Sequence, residues 1–147
     1  MSWHKLARRG IVVLAGTGGN GGGGIVAAPH LANHGAHVEL CLARPDKLAE
    51  VPAWQRKVFQ LTSGREVLPR DLDEEAVQII LDALIGYGLQ SVPNGIFADL
   101  IGWANSTGAP ILLLDVPSGL DSTTCKAPGE LIQATPVLPR RFGDQDR

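Results

Sequence analysis

The chain has no excess of either charge: 13 Lys and Arg face 15 Asp and Glu, a formal charge of −2. Such a balance leaves no electrostatic footprint for nucleic acid or an anionic membrane, so any bound anion must be held locally. Long hydrophobic runs are missing as well. The longest, IVVLA from Ile11 and ILLL from Ile111, fall far short of the roughly 18 apolar residues that suggest a membrane span. The opening HKLARRG before IVVLAG imitates a secretory leader. Its apolar stretch is too short, and no small-residue cleavage site precedes the folded pattern. The expected location is therefore cytoplasmic. Cysteine is scarce: Cys41 and Cys125 have no CxxC spacing, which argues against a disulfide framework and a zinc site. Cys41 lies in an apolar run and reads as core. Trp3, Trp54 and Trp103 are too scattered to form a stacking platform.

At 147 residues, 44% of them hydrophobic, the chain can fill one core and has no room for a second catalytic domain. We expect a single domain over 1–147, with a core from about residue 10 to 130 and a frayed tail over 133–147. Glycine is the exception to this ordinary composition. Eight of the 18 glycines fall within the first 24 residues, so the excess is a local device for bending the chain tightly.

Apolar runs alternate with helical patterns. Ile11–Gly16 reads as a strand buried on both faces that stops at the glycine cluster. Ile25–His34 reads as a helix closed by Gly35, His37–Arg44 as a second strand, and Leu48–Leu61 as a second helix. A third strand ends near Asp82–Leu84, a helix covers Ile96–Asn105, and Pro110–Gly119 is a fourth strand running into a Pro-Ser-Gly turn. This alternation predicts an α/β fold, a Rossmann-like three-layer α/β/α sandwich with a mostly parallel sheet. Pro29 is the discordant residue, because a helix-interior proline requires a kink or a late start.

In such sheets ligands bind beyond the carboxyl ends of the strands. Three features fall there: the loop Gly16–Gly24, Asp82 with the turn after it, and Asp115 with Pro-Ser-Gly. Gly16-Thr17-Gly18-Gly19-Asn20-Gly21 satisfies G-x-G-x-x-G between a strand and a helix, the context in which backbone N–H groups and the helix end hold phosphate. No Gly-Lys-Ser/Thr follows, so it is not a Walker loop. A dehydrogenase would want an acidic residue at the end of the second strand, and Arg44 stands there. Asp115, emerging from an apolar strand, is expected to be partly desolvated and suited to acid/base work, or else to cap the next turn. Asp82 carries the same alternative of capping. Ser118 lacks GxSxG surroundings and fits better as an oxygen ligand beside Asp82 and Asn20, since hard cations gather hydroxyl, carboxylate and carbonyl oxygens. His30, His34 and His37 have no Glu in HExxH position and read as non-ligands.

The loop AGTGGNGGGG, the segment LDALIGYGL (81–89) and the segment LDVPSGLDSTT (114–124) together resemble the NAD(P)H-hydrate epimerases, the N-terminal domain type of the YjeF proteins. The resemblance covers roughly residues 10–130 and implies repair of hydrated NADH and NADPH by interconversion of the R and S forms at C6 of the nicotinamide ring. It implies that Gly19, Asn20, Gly21, Gly22 and Gly23, with Gly86, Tyr87, Gly88, Leu89, Gln90, Ser91 and Val92, contact that substrate. It makes Asp115 the acid/base and assigns a potassium ion to Asn20, Asp82 and Ser118. It also implies a homodimer and a separate NAD(P)H-hydrate dehydratase, with no nucleic-acid or membrane partner. Gly19 and Gly23 stand where the family's loop usually carries Asn and Asp, and Cys125 where it carries Gly. Two other readings remain: a non-catalytic nucleotide-binding or scaffold module of the same fold, as in mRNA-decapping scaffolds, and an NAD-dependent oxidoreductase.

Overall fold

The computed structural model describes residues 10–86 and 91–134. The β-branched run after Gly10 forms strand β1 (Gly10–Ala15), which lies at the centre of the sheet. It pairs in parallel with β2 (His37–Leu42) on one side and β4 (Ile79–Ala83) on the other. β3 (Arg65–Val67) extends the sheet beyond β2 and β5 (Ile111–Leu113) extends it beyond β4, giving the order β3-β2-β1-β4-β5. Every pairing among these five strands is parallel, in agreement with the alternating pattern.

Successive side chains of a strand point to opposite faces, and β1 uses both. Ile11, Val13 and Ala15 pack with Ile25, Ala28 and Ala32 of helix α1 (Gly19–Asn33) and Phe59 of α2 (Glu50–Gln60). Val12 and Leu14 pack with Leu100, Ile101 and Ala104 of α3 (Gly95–Ser106). Two helices thus cover one face and one covers the other, the expected three layers. Each fully buried Val, Leu or Ile contributes about 1.5–3 kcal/mol, and Val13, Leu14, Ile25 and Leu40 are all without exposure.

Three element boundaries differ from the expected ones for physical reasons. α1 begins at Gly19, well before Ile25, so most of the supposed glycine loop is helix, with Gly22 N donating to Gly18 O at 3.0 Å. Glycine is a poor helix former, and close packing overrides that preference here. A Cβ at Gly24 would stand 2.5 Å from Ala83 Cβ, and one at Gly21 would collide with Gly16 O. The helix also starts early where Pro29 called for a kink or a late start, and it runs on through that buried proline to Asn33. β2 stops at Leu42 instead of Arg44, and Arg44 turns outward to pair with Asp46 at 3.3 Å.

β5 ends at Leu113 instead of continuing to Gly119: Leu114 N donates to Asp82 O at 3.0 Å, and Asp115 then takes a left-handed φ of 81°. As an outer strand, β5 leaves Leu112 45% exposed. β3 is short and charged, and nothing in its pattern announced it. It is held by Arg65–Glu39 and by Arg56 of α2 pairing with Glu66.

The core also reaches past residue 130. Ile132 is buried, its N–H donates to Ser118 O at 2.9 Å, and Asn105 Nδ2 donates to Leu131 O at 2.7 Å. Trp3 and the tail from 135 to 147 lie outside the described residues. Among the described residues, no helix is long and apolar enough to cross a membrane.

Candidate functional site

The sheet changes winding direction between β1 and β4: β1 leads into a helix on one face and β4 into a helix on the other. A cleft must open where the two crossovers part. One of about 1050 Å³ lies there. Its walls are Thr17–Asn20 and Gly23 from the start of α1, Leu84–Gly86 after β4, Ser91–Asn94 and Phe97 at the start of α3, and Leu114 and Asp115 after β5. The first turn of α1 directs unpaired N–H groups and the positive end of its dipole toward this space.

Helical geometry sorts the glycine positions. Gly19, Asn20 and Gly23 line the cleft, while Gly21 and Gly22, expected as substrate contacts, do not. Gly21 is buried against Gly16, and a Cβ at Gly22 would face Pro52 of α2 at 3.5 Å. The side of α1 carrying those two residues serves packing. Of the other expected contacts, Gly86, Ser91, Val92 and Asp115 line the cleft, whereas Tyr87, Gly88, Leu89 and Gln90 lie outside the described residues.

Gly86 is the pivot of the polar end. A Cβ there would stand 2.8 Å from Asn20 Cβ and 3.3 Å from Asp115 Oδ2, so the absence of a side chain lets the amide of one and the carboxylate of the other approach the same point. The buried Nδ2 of Asn20 has no hydrogen-bond partner among the described residues. A buried amide donor left unpaired costs free energy that a ligand acceptor would return. Asp115 is exposed on the rim. The expected desolvation of this residue is therefore corrected: the turn that ends β5 carries it out of the core instead of leaving it at the buried strand end.

Beneath the cleft, Asp82 and Ser118 are both without exposure. Ser118 Oγ donates to Asp82 Oδ1 at 2.5 Å, Ser118 N to Oδ2 at 2.8 Å, and Leu84 N to Oδ1 at 3.2 Å. Ile85 N in turn donates to Ser118 Oγ at 2.8 Å. The pair bolts the end of β4 to the Pro-Ser-Gly turn. Burial pushes the Asp82 carboxyl above its usual range, and the hydrogen bonds from Ser118 and Leu84 offset only part of that shift.

A protein-family model described as YjeF-related protein N-terminus matches residues 2–139 of this sequence. The chain belongs to that family. It is 44% identical to the NAD(P)H-hydrate epimerase of Dehalogenimonas lykanthroporepellens, over 91% of this chain and 59% of that protein. It is 40% identical to the bifunctional NAD(P)H-hydrate repair enzyme Nnr of Escherichia coli, over 84% of this chain and 24% of that protein. The crystal structure of yeast ynu0 matches with a TM-score of 0.68 at 22% identity, over 82% of this chain and 53% of that one, a likeness of fold. The chain thus spans somewhat over half of the first relative and about a quarter of the second.

Several residues that line this cleft were not singled out by their sequence: Leu84, Ile85, Pro93, Asn94, Phe97 and Leu114. Asn94 and Phe97 carried a usable signal, since Asn is a favoured helix N-cap and the helix it opens starts beside the strand ends. Arg44 is not among the lining residues. The cleft spreads over β4 and β5, away from the end of β2 where a dehydrogenase holds its ribose. His34 Nδ1 bonds to His30 O at 2.7 Å, and no cluster of three or more His, Cys, Asp or Glu able to hold a metal occurs among the described residues.

Proposed function

We propose that the chain is an NAD(P)H-hydrate epimerase, an isomerase that interconverts the R and S forms of hydrated NADH and NADPH, with Asp115 as its acid/base. The observation that carries this reading is the convergence of Asn20, Gly86 and Asp115 at one end of a cleft opened by the start of α1. The names of its relatives support it.

The hydroxyl of the substrate sits on C6, bonded to the ring nitrogen. In this reading the carboxylic acid of Asp115 protonates that hydroxyl. The C6–O bond breaks, water leaves, and the nitrogen lone pair forms a C=N bond that carries the positive charge. Water then adds to C6 from the other face and returns its proton to the carboxylate, so the enzyme ends as it began. Gly19, Asn20 and Gly23 would hold the dinucleotide against the helix end, with Gly86 beside Asn20 and with Ser91 and Val92 also lining the cleft.

The potassium ion that the family resemblance implies fits the donors present. Asp82 uses three of about four lone-pair sites on protein donors, and no Lys, Arg or His among the described residues pairs with it. Asn20, Asp82 and Ser118 would hold the ion, which would supply the positive charge that offsets that carboxylate. The same reading includes a homodimer in the cytoplasm and a separate NAD(P)H-hydrate dehydratase. The bifunctional names of longer relatives support that last partner. The exposure of Asp115 favours a second reading, a nucleotide-binding module without catalysis.

The test mixes purified protein with the R form of hydrated NADH and an S-specific dehydratase, and follows NADH absorbance. NADH should reappear with the wild type and fail to do so with Asp115→Asn, which should still bind the substrate. Turnover retained in Asp115→Asn refutes the acid/base assignment. Binding without conversion by the wild type selects the module.

A further inference from the structure

The cleft lining is of two chemical kinds. One is the polar start of α1 with Asp115 on the rim. The other is apolar, formed by Leu84, Ile85, Val92, Phe97 and Leu114. Phe97 is the one aromatic side chain among the described residues that line the cleft. It is half-buried, packs against the core cluster beneath α3, and its Cε1 lies 3.1 Å from the place a Cβ would take on Gly16. A side chain at 16 would collide first with Leu84 O and would crowd the ring as well. The ring is therefore packed on the core and lies close over Gly16, at the end of the central strand where the crossovers part.

An aromatic face carries negative potential and attracts cations laid over it. We propose that Phe97 is the platform on which the reacting ring of the substrate lies, its π face stabilising the positive charge that the ring acquires when the C6 hydroxyl leaves as water. The inference rests on the epimerase reading. Neither ground-state form of the hydrated ring carries that charge, so the interaction strengthens on the way to the transition state and should act on kcat more than on KM.

Incorporation of mono-, di- and trifluorophenylalanine at position 97 of the full chain keeps the volume nearly constant and drains the ring face in steps. The expected result is a stepwise fall in kcat, about tenfold by the third fluorine, with KM little changed and melting temperature unaltered. A flat kcat across the series in a protein that does epimerise overturns the platform and leaves the epimerase reading intact. If the wild type does not epimerise, that reading fails, and calorimetry with nicotinamide mononucleotide decides the platform. The oxidised, cationic form should bind more weakly with each fluorine while the reduced, neutral form does not. Equal behaviour of the two forms overturns it.

Discussion

Replacing Ser118 by Ala removes one oxygen atom from a site without solvent, and the loss can be followed bond by bond. Asp82 Oδ1 loses the hydroxyl donor at 2.5 Å and keeps Leu84 N, and Ile85 N loses its acceptor at 2.8 Å. A hydrogen bond to a charged group is worth about 1.5–3 kcal/mol and an orphaned donor costs about 1–3 kcal/mol. Because the two share one atom and do not add fully, about 2–4 kcal/mol is expected near neutral pH, a large part of the roughly 5–15 kcal/mol available to a domain. The pH dependence sharpens the test. Burial already raises the Asp82 pKa above its ordinary value of 3.8, so the folded state binds a proton that the unfolded chain has released. The stability this supplies is complete below the ordinary carboxylate range and is lost as pH rises through the folded value. Ser118→Ala raises the folded value further, so the gap between wild type and variant must widen with pH. Urea titrations near neutral and at mildly acid pH measure that gap. A loss under about 1 kcal/mol near neutral pH, or one that shrinks as pH rises, would refute the account of the pair.

Gly86→Ala should lower stability by only about 1–3 kcal/mol. Turnover should fall more steeply, by about 100-fold for a displacement near 1 Å, since the new methyl meets Asn20 Cβ and Asp115 Oδ2. Melting curves beside the coupled NADH assay check this, and a variant of full activity would remove Gly86 from the site. The two cysteines should separate cleanly under alkylation at neutral pH. Burial, with the charges of Glu66 and Glu39 nearby, pushes the Cys41 thiol up to about 12, while Cys125 is exposed. Mass spectrometry of folded protein should find one label, on Cys125, and a second only after denaturation.

Much of this architecture is written in local patterns. The run Ile11–Ala15 announces a strand buried on both faces because β-branched residues without polar alternation have no other use, and the chain's alternation of such runs with helices dictates parallel pairing. Boundaries were less legible where tertiary contact overrides local preference. The five glycines from Gly19 to Gly24 read as loop by propensity, yet they are helical, and at Gly21 and Gly24 only glycine fits against Gly16 and Ala83 at the ends of β1 and β4. β3 is hard to see because it has three residues with one apolar side chain, the buried Val67, and its two charged residues are held by ion pairs from elsewhere. At the site, the approach of Asn20 to Asp115 depends on the turn at Gly86, a long-range coincidence that no local pattern records. The exposure of Asp115 escaped for the same reason, since its φ of 81° is set by the turn after β5.

The fit of α1 against Ala83 also bears on the order in which the molecule assembles. Its glycine-rich first turns have little helix propensity of their own, and a short helix without tertiary support is marginal in water. The surface that stabilises them includes β4, which pairs with β1 only after the whole β2–β3 excursion has been threaded, Ile11 beside Ile79. Closing so long a loop is slow and entropically expensive. The start of α1 should therefore be among the last parts of the chain to acquire protection from hydrogen exchange during refolding, and a fragment ending before β4 should leave those glycines uncoiled. The cleft is thus a late product of folding, absent until the two halves of the sheet have met.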